Sequence, residues 1–249
     1  MSLDLNLRVI PANTEVSAPT VLLIHGFASS SELNWERSGW VRHLADHGRK
    51  VALIDLPGHG AEPNRSPGPW TPSKIRESMA SALAEIDTPI DILGYSLGAR
   101  LAWEFAAKHP ELVRRLVIGG PGSLDPLAAL ALDEARRFVA TGESIADEYT
   151  AKVMKIATNE ASNDFSALFK LVEGIKDEPY DPGEAVPSTP TLLVAGDQDD
   201  LATTMPQLRR LLAQSGTPSE VLWLAGRNHA NAVTSREFKN ATLEFLSVS

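Results

Sequence analysis

Two periodicities alternate along this chain. Short apolar runs, rich in β-branched residues, occur at Leu5 to Ile10, Thr20 to Ile24, Lys50 to Asp55, Ile90 to Gly94, Arg115 to Gly119, Thr191 to Ala195 and Glu220 to Leu224. Most are apolar throughout, as strands buried on both faces should be. Between them lie stretches with helical spacing, near 36–47, 73–86, 96–108, 203–214 and 234–247. In the last of these Phe238, Ala241, Phe245 and Leu246 share one side, with polar residues elsewhere. Strands alternating with helices need right-handed crossovers. The pattern therefore predicts an α/β fold, a mostly parallel, doubly wound sheet of about six or seven strands.

One interval breaks the rhythm. From Pro121 to Pro190 no run reads as a strand. Helical spacing appears at Leu127, Leu130 and Ala131, then at Ile145, Tyr149, Val153 and Ile156, then at Phe165, Leu168, Phe169 and Val172. The exit, Pro179-Tyr180-Asp181-Pro182-Gly183 with Pro187 and Pro190 beyond, has the chemistry of a linker back to the sheet. The expected organisation is a core built from 1–120 and 191–249, with 121–190 inserted as a helical cap over the C-terminal ends of the strands. A second Pro-rich segment, Pro63 to Pro72 with Trp70 inside it, reads as an excursion loop.

Composition narrows the chemistry. A length of 249 residues suits one core domain with such an insertion. With no cysteine there is no disulfide framework, thiolate metal site or cysteine nucleophile, which favours a reducing, cytoplasmic setting. No apolar run reaches the roughly 18 residues of a membrane span. Met1 to Arg8 lacks the basic start and apolar core of a secretion signal. A net charge of -9 argues against a nucleic-acid partner, because such binding is built on clustered Lys and Arg. A small-molecule substrate is the expected partner, and a monomer or small homo-oligomer the expected state. No metal-ligand cluster or phosphate-binding glycine loop is recognisable, so neither metal nor cofactor is expected.

The reactive candidate is Gly94-Tyr95-Ser96-Leu97-Gly98. It follows an apolar strand and precedes a helix in which Leu97, Leu101 and Phe105 fall on one line. In that context G-x-S-x-G holds a nucleophilic serine on a sharp turn, with glycines where side chains would collide. A serine needs a base and a group to orient the base. Of the six histidines, His43 and His47 lie four apart on a helix without a completing acid, and His109 precedes a proline at a helix end. His59 is a turn residue in Gly58-His59-Gly60. His229 follows the last strand, on the sheet edge where loops build active sites. Gly196-Asp197-Gln198-Asp199-Asp200, after another strand, offers three carboxylates, and Asp125 is an alternative acid after the strand ending at Gly119. Backbone N–H groups to hold a developing oxyanion are available at Leu97, in the first helical turn, and at Phe27 in the loop His25-Gly26-Phe27-Ala28.

Taken together, Leu23-Ile24-His25-Gly26-Phe27, Asp55-Leu56-Pro57-Gly58-His59-Gly60, Gly94-Tyr95-Ser96-Leu97-Gly98, Gly196-Asp197-Gln198-Asp199 and Asn228-His229 resemble the α/β-hydrolase superfamily. The resemblance implies Ser96 as nucleophile, Asp199 as acid, His229 as base, and Phe27 with Leu97 as the oxyanion hole. Only some twenty residues precede the first core strand, too few for the full antiparallel start of that fold. A serine nucleophile, rather than an aspartate, makes carboxylic-ester hydrolysis the implied activity. Tyr95 to Arg100 is also similar to the menaquinone-pathway lyase of this fold, which implies a carboxylate-binding role for Arg100, aided by Arg136 or Arg137. The same arginine forms an i, i+4 charge ladder with Glu104 and Lys108. Tyr95 and Trp35 are further candidates for substrate contact, Trp35 as a pocket wall alongside Trp40, although Trp40 also fits a helix core face.

Overall fold

Seven strands form one sheet in the computed structural model, which describes residues 5, 7–14, 18–60 and 68–248. They are β1 (Leu7–Ile10), β2 (Ala18–Ile24), β3 (Arg49–Ile54), β4 (Ile90–Tyr95), β5 (Val113–Gly119), β6 (Thr191–Gly196) and β7 (Ser219–Leu224). Their spatial order is β1-β3-β2-β4-β5-β6-β7. All neighbours run parallel except β1, which pairs antiparallel with β3, Leu7 opposite Ile54. Among the described residues before β2, one short edge strand joins the sheet.

The helices are α1 (Trp40–Asp46), α2 (Pro72–Leu83), α3 (Leu97–Lys108), α4 (Leu132–Thr141), α5 (Glu148–Ala157), α6 (Phe165–Asp177), α7 (Met205–Gln214), the single turn α8 (His229–Ala232) and α9 (Arg236–Ser247). Because side chains alternate across a strand, β2 sends Leu22 and Ile24 to one face and Val21 and Leu23 to the other. The first face packs on α2, α3 and α7 through residues such as Met79, Phe105 and Leu208. The second packs on α1 and α9 through Leu44, Phe238 and Leu246. Both faces are covered, and this explains why most of the core-strand runs are apolar on both sides of the sheet.

Between β5 and β6 lie α4, α5 and α6, with no strand among the described residues there. They share a small apolar cluster of Ala135, Met154 and Phe169. Helix α6 also presses Leu171, Val172 and Ile175 into the main core. The spacing of Leu127, Leu130 and Ala131 yields only a 3-10 turn over Pro126–Ala129, and α4 starts just after it. Of the Pro63 to Pro72 loop, residues 63–67 lie outside the described residues. Trp70 is buried, and Pro72 opens α2 with Thr71 as its cap. At the N-terminus, Met1 to Asp4 and Asn6 likewise lie outside the description. No helix among the described residues is long and apolar enough to cross a membrane.

Candidate active site

The turn between β4 and α3 holds Ser96 at φ 55° and ψ -115°, a left-handed conformation that is costly for a residue with a Cβ. Its neighbours make the strain possible. A Cβ on Gly98 would overlap the carbonyl of Ile24, and one on Gly94 would overlap the carbonyl of Gly98. Ser96 N–H donates to Gly119 O at 2.9 Å, tying the turn to β5.

His229 reaches Ser96 from the loop after β7. Its Nε2 lies 2.9 Å from Ser96 Oγ, and its Nδ1 lies 2.8 Å from Asp199 Oδ2. An ionised Asp199 can only accept, so Nδ1 carries the proton and Nε2 is left to accept from the serine hydroxyl. The Asp199 carboxylate is fully buried, and its Oδ1 accepts Leu201 N–H at 3.0 Å. Asp197 and Asp200 are exposed, and Asp197 caps the Gly226 N–H instead. Asn228 and Asn231 form a reciprocal capping box on α8, which fixes the backbone of His229. Gly120, at φ +59°, leaves room for the ring, because a Cβ there would stand 3.0 Å from His229 Cε1. Tyr95 lies behind the imidazole and donates its hydroxyl to His229 O at 2.6 Å. It touches the histidine's support as well as the cavity wall.

Phe27 and Leu97 both line the cavity beside Ser96, and among the described residues neither N–H has an acceptor. The loop carrying Phe27 is held by a reciprocal lock that the sequence does not announce. His25, after β2, accepts Leu56 N–H at 2.9 Å, while His59, after β3, accepts Ala28 N–H at 2.8 Å. Each ring returns its Nδ1–H to a carbonyl, Gly26 O at 2.8 Å and Pro57 O at 3.0 Å. Both imidazoles are fully buried. Burial is the main reason that both have lowered pKa values, His59 well below the usual range with His25 adding repulsion; at His25 burial outweighs the opposing pull of Asp55. Asn34 adds a further tie, accepting Gly26 N–H at 2.9 Å. The two histidines are invisible to spacing rules because their partners lie in another loop, and Asn34 because its partner stands eight residues away across an irregular turn. The only local signal is a histidine beside glycine at two adjacent strand ends.

The cavity above Ser96 encloses about 820 Å³ and is lined by core loops and by residues of the β5–β6 segment. Arg100 reaches it, but its charge is already met. It is buried, ion-paired with Asp125, 3.2 Å from Glu104, and donates to Glu178 O at 2.6 Å. Asp125 is thereby committed to Arg100, whereas Asp199 is the carboxylate on His229. The charge ladder exists only as far as Glu104, which turns to Arg76 and not to Lys108. Trp35 lies outside the cavity: it has no exposed surface and packs edge-on with Trp40 in the core against α9. Arg136 pairs with Glu173 and Arg137 lies near Glu143, both away from the cavity. His43 on α1 and His47 at its C-terminal cap have tilted rings with centres 4.9 Å apart, and among the described residues no group of three His, Asp or Glu side chains is placed to hold a metal.

Comparison with known proteins places this geometry. A family described as "alpha/beta hydrolase fold" matches residues 19–144. Over 68 residues the chain is 44% identical to a pimeloyl-[acyl-carrier protein] methyl ester esterase of Neisseria meningitidis, a match covering 27% of this chain and 25% of that protein. Over 103 residues it is 32% identical to an esterase of Mycobacterium tuberculosis, covering 41% and 33% of the two chains. The matches thus span about a quarter to a third of these relatives' lengths. Among solved structures, a carboxylesterase from Nitrososphaera gargenis superposes with TM-score 0.75 at 15% identity, over 99% of this chain and 96% of that one. MenH from S. aureus superposes with TM-score 0.72 at 21% identity, over 96% and 97%. Such distant structures speak to fold alone. With the sheet order, the strained serine turn and a family match over half its length, the chain belongs to the α/β-hydrolase fold family.

Proposed function

We propose that this protein hydrolyses small or medium carboxylic esters through an acyl-enzyme on Ser96. The observation that carries the reading is the unbroken hydrogen-bond chain Asp199–His229–Ser96 opening onto a cavity with two unpaired backbone N–H groups. In this mechanism His229 Nε2 takes the Ser96 proton as Oγ attacks the ester carbonyl. Phe27 and Leu97 N–H hold the oxyanion, and Asp199 stabilises the imidazolium. His229 then protonates the departing alkoxide, and water attacks the acyl-enzyme by the same relay in reverse. The esterase names of the two sequence relatives support this chemistry. The committed charge of Arg100 disfavours a lyase or carbon–carbon hydrolase acting on a carboxylate-bearing ring compound, since that substrate needs a free cation. A non-catalytic receptor would have no use for the aligned relay.

The test is pre-steady-state kinetics with short-chain p-nitrophenyl esters. The expected result is a burst stoichiometric with enzyme, followed by steady turnover, with kcat falling roughly 10³- to 10⁶-fold in a folded Ser96→Ala variant. Wild-type turnover in that variant would overturn the proposal.

A further inference from the structure

Four polar side chains meet in the cavity wall where α3 faces the β5–β6 segment: Arg100, Asp125, Tyr149 and Tyr180. The two charged members are each 5% exposed. Arg100 uses Nε on Glu104, one terminal nitrogen on Asp125 and the other on Glu178 O, and its guanidinium carbon lies 5.1 Å from the Tyr180 ring centre. Two of its N–H donors remain. Asp125 accepts Leu127 N–H at 2.8 Å as well. Glu104 completes the set by pairing with Arg76. Two cations therefore face two carboxylates, and the group is electrically closed. A substrate carboxylate entering beside Arg100 would add a buried negative charge to a group whose two cations already face two carboxylates, which is strongly unfavourable.

The tyrosines are different. Of the three in the chain, only Tyr95 has its hydroxyl hydrogen-bonded among the described residues. Burial pushes the Tyr149 hydroxyl up to about 12, with Asp125 adding to the effect, and raises Tyr180 as well, with Glu104 adding to it. Both hydroxyls therefore stay protonated and can donate and accept. Ile118, Leu127 and Val153 add apolar surface beside them, while Lys152, which also lines the cavity, is exposed to solvent. Arg100 stands one helical turn, about 6 Å, beyond Ser96, within reach of a five- or six-carbon acyl chain bonded to Ser96 Oγ.

We propose that Arg100, Asp125, Tyr149 and Tyr180 form a specificity subsite for a neutral hydrogen-bonding group, a hydroxyl or carboxamide, at the distal end of the acyl chain, and that the subsite rejects a carboxylate there. This rests on ester hydrolysis at Ser96, and the experiment separates the two.

Three p-nitrophenyl esters of equal acyl length serve as probes: hexanoate, 6-hydroxyhexanoate and the mono-ester of adipate. The wild-type kcat/KM for the hydroxy ester is expected to exceed that for hexanoate by roughly three- to tenfold, the worth of a buried neutral hydrogen bond. The adipate mono-ester is expected to be the poorest of the three. In Tyr149→Phe and in Tyr180→Phe the hydroxy-to-alkyl ratio should fall towards one. Dissociation constants of the corresponding methyl esters on Ser96→Ala, read by NMR titration, should show the same order without any turnover. Preference for adipate, a wild-type ratio of one, or a ratio unmoved by both tyrosine variants would overturn the subsite. No wild-type turnover, with the binding order intact on Ser96→Ala, would sink ester hydrolysis and leave the subsite standing.

Discussion

The cavity has one wall from the sheet loops and one from the β5–β6 segment, and the two differ in how their polar groups are held. Within and behind the sheet-loop wall, Asn34, Asp199, His25 and His59 each have protein partners at hydrogen-bond distance, and the Phe27 and Leu97 N–H groups beside Ser96 have no acceptor among the described residues. In the other wall two tyrosine hydroxyls have no partner among the described residues, and apolar side chains at the mouth stand in solvent, Ile156 at 60% and Leu124 at 69% exposed. The difference separates two tasks. Groups that must meet a developing charge have to be positioned before the substrate arrives. Groups that select a substrate keep their hydrogen-bonding capacity for it.

The comparison is broken most severely by removing one half of the histidine lock. His59→Ala leaves Ala28 N–H and Pro57 O buried without partners and opens a void. The expected loss is about 3–5 kcal/mol in urea unfolding, together with a large fall in kcat, because Ala28 at φ 56° follows the oxyanion residue Phe27 directly. A variant with wild-type stability and activity would show that the sheet-loop wall is not held as described.

A milder way to strain the same lock is acid. In the fold both rings are neutral, with pKa values lowered chiefly by burial, while in the unfolded chain they return to about 6.5. Below that value the unfolded state binds protons that the fold refuses. Stability is therefore complete above pH about 6.5 and falls as pH drops towards the folded values, by up to about 1.4 kcal/mol per pH unit for each histidine. Among the described residues, Asp55, 3.5 Å from His25 Nε2, and the facing imidazole are the titratable groups against these rings. Unfolding free energies at pH about 7.5, 6.5 and 5.5 should show a steeper slope in the wild type than in His59→Ala. Equal slopes would mean that His59 gains its proton over the same pH range in the fold as in the unfolded chain, and so is not held neutral by burial.

These contrasts also explain what the sequence discloses. The strand runs and the Ser96 turn are legible because their causes are local: burial of both faces of a strand, and glycines two residues either side of a strained serine. The separation between Asp199 and His229 is legible because each follows its own strand on one sheet edge. Trp35 is not. Its ring goes beneath the sheet because a π-helical turn over Glu32–Glu36 points it at Trp40, and no spacing rule sets that direction. Arg100 is ambiguous for a similar reason. Asp125, which neutralises it, stands beyond a strand and a turn, so helix periodicity sees only Glu104 and Lys108.

The smallest expected effect tests whether the walls are independent. Asn163, between α5 and α6, donates Nδ2 to Ala157 O at 3.0 Å and to Ala28 O at 3.4 Å, bridging the segment to the oxyanion loop. Asp164 N–H adds a bond to Gly58 O at 3.0 Å, so the bridge has a second strand of support. In Asn163→Ala the long bond to Ala28 is lost, but His59 still holds Ala28 N–H. The buried Asn163 Oδ1 has no partner among the described residues, so deleting it relieves one desolvated group while the bond to Ala157 is lost. These terms oppose each other, and the net change in stability should stay within about 1 kcal/mol. A two- to fivefold fall in kcat, with the hydroxy-to-alkyl preference retained, is the expected kinetic result. A loss as large as that of His59→Ala would mean that the two walls move as one body, and that substrate selection cannot be altered on the outer wall without disturbing the oxyanion loop.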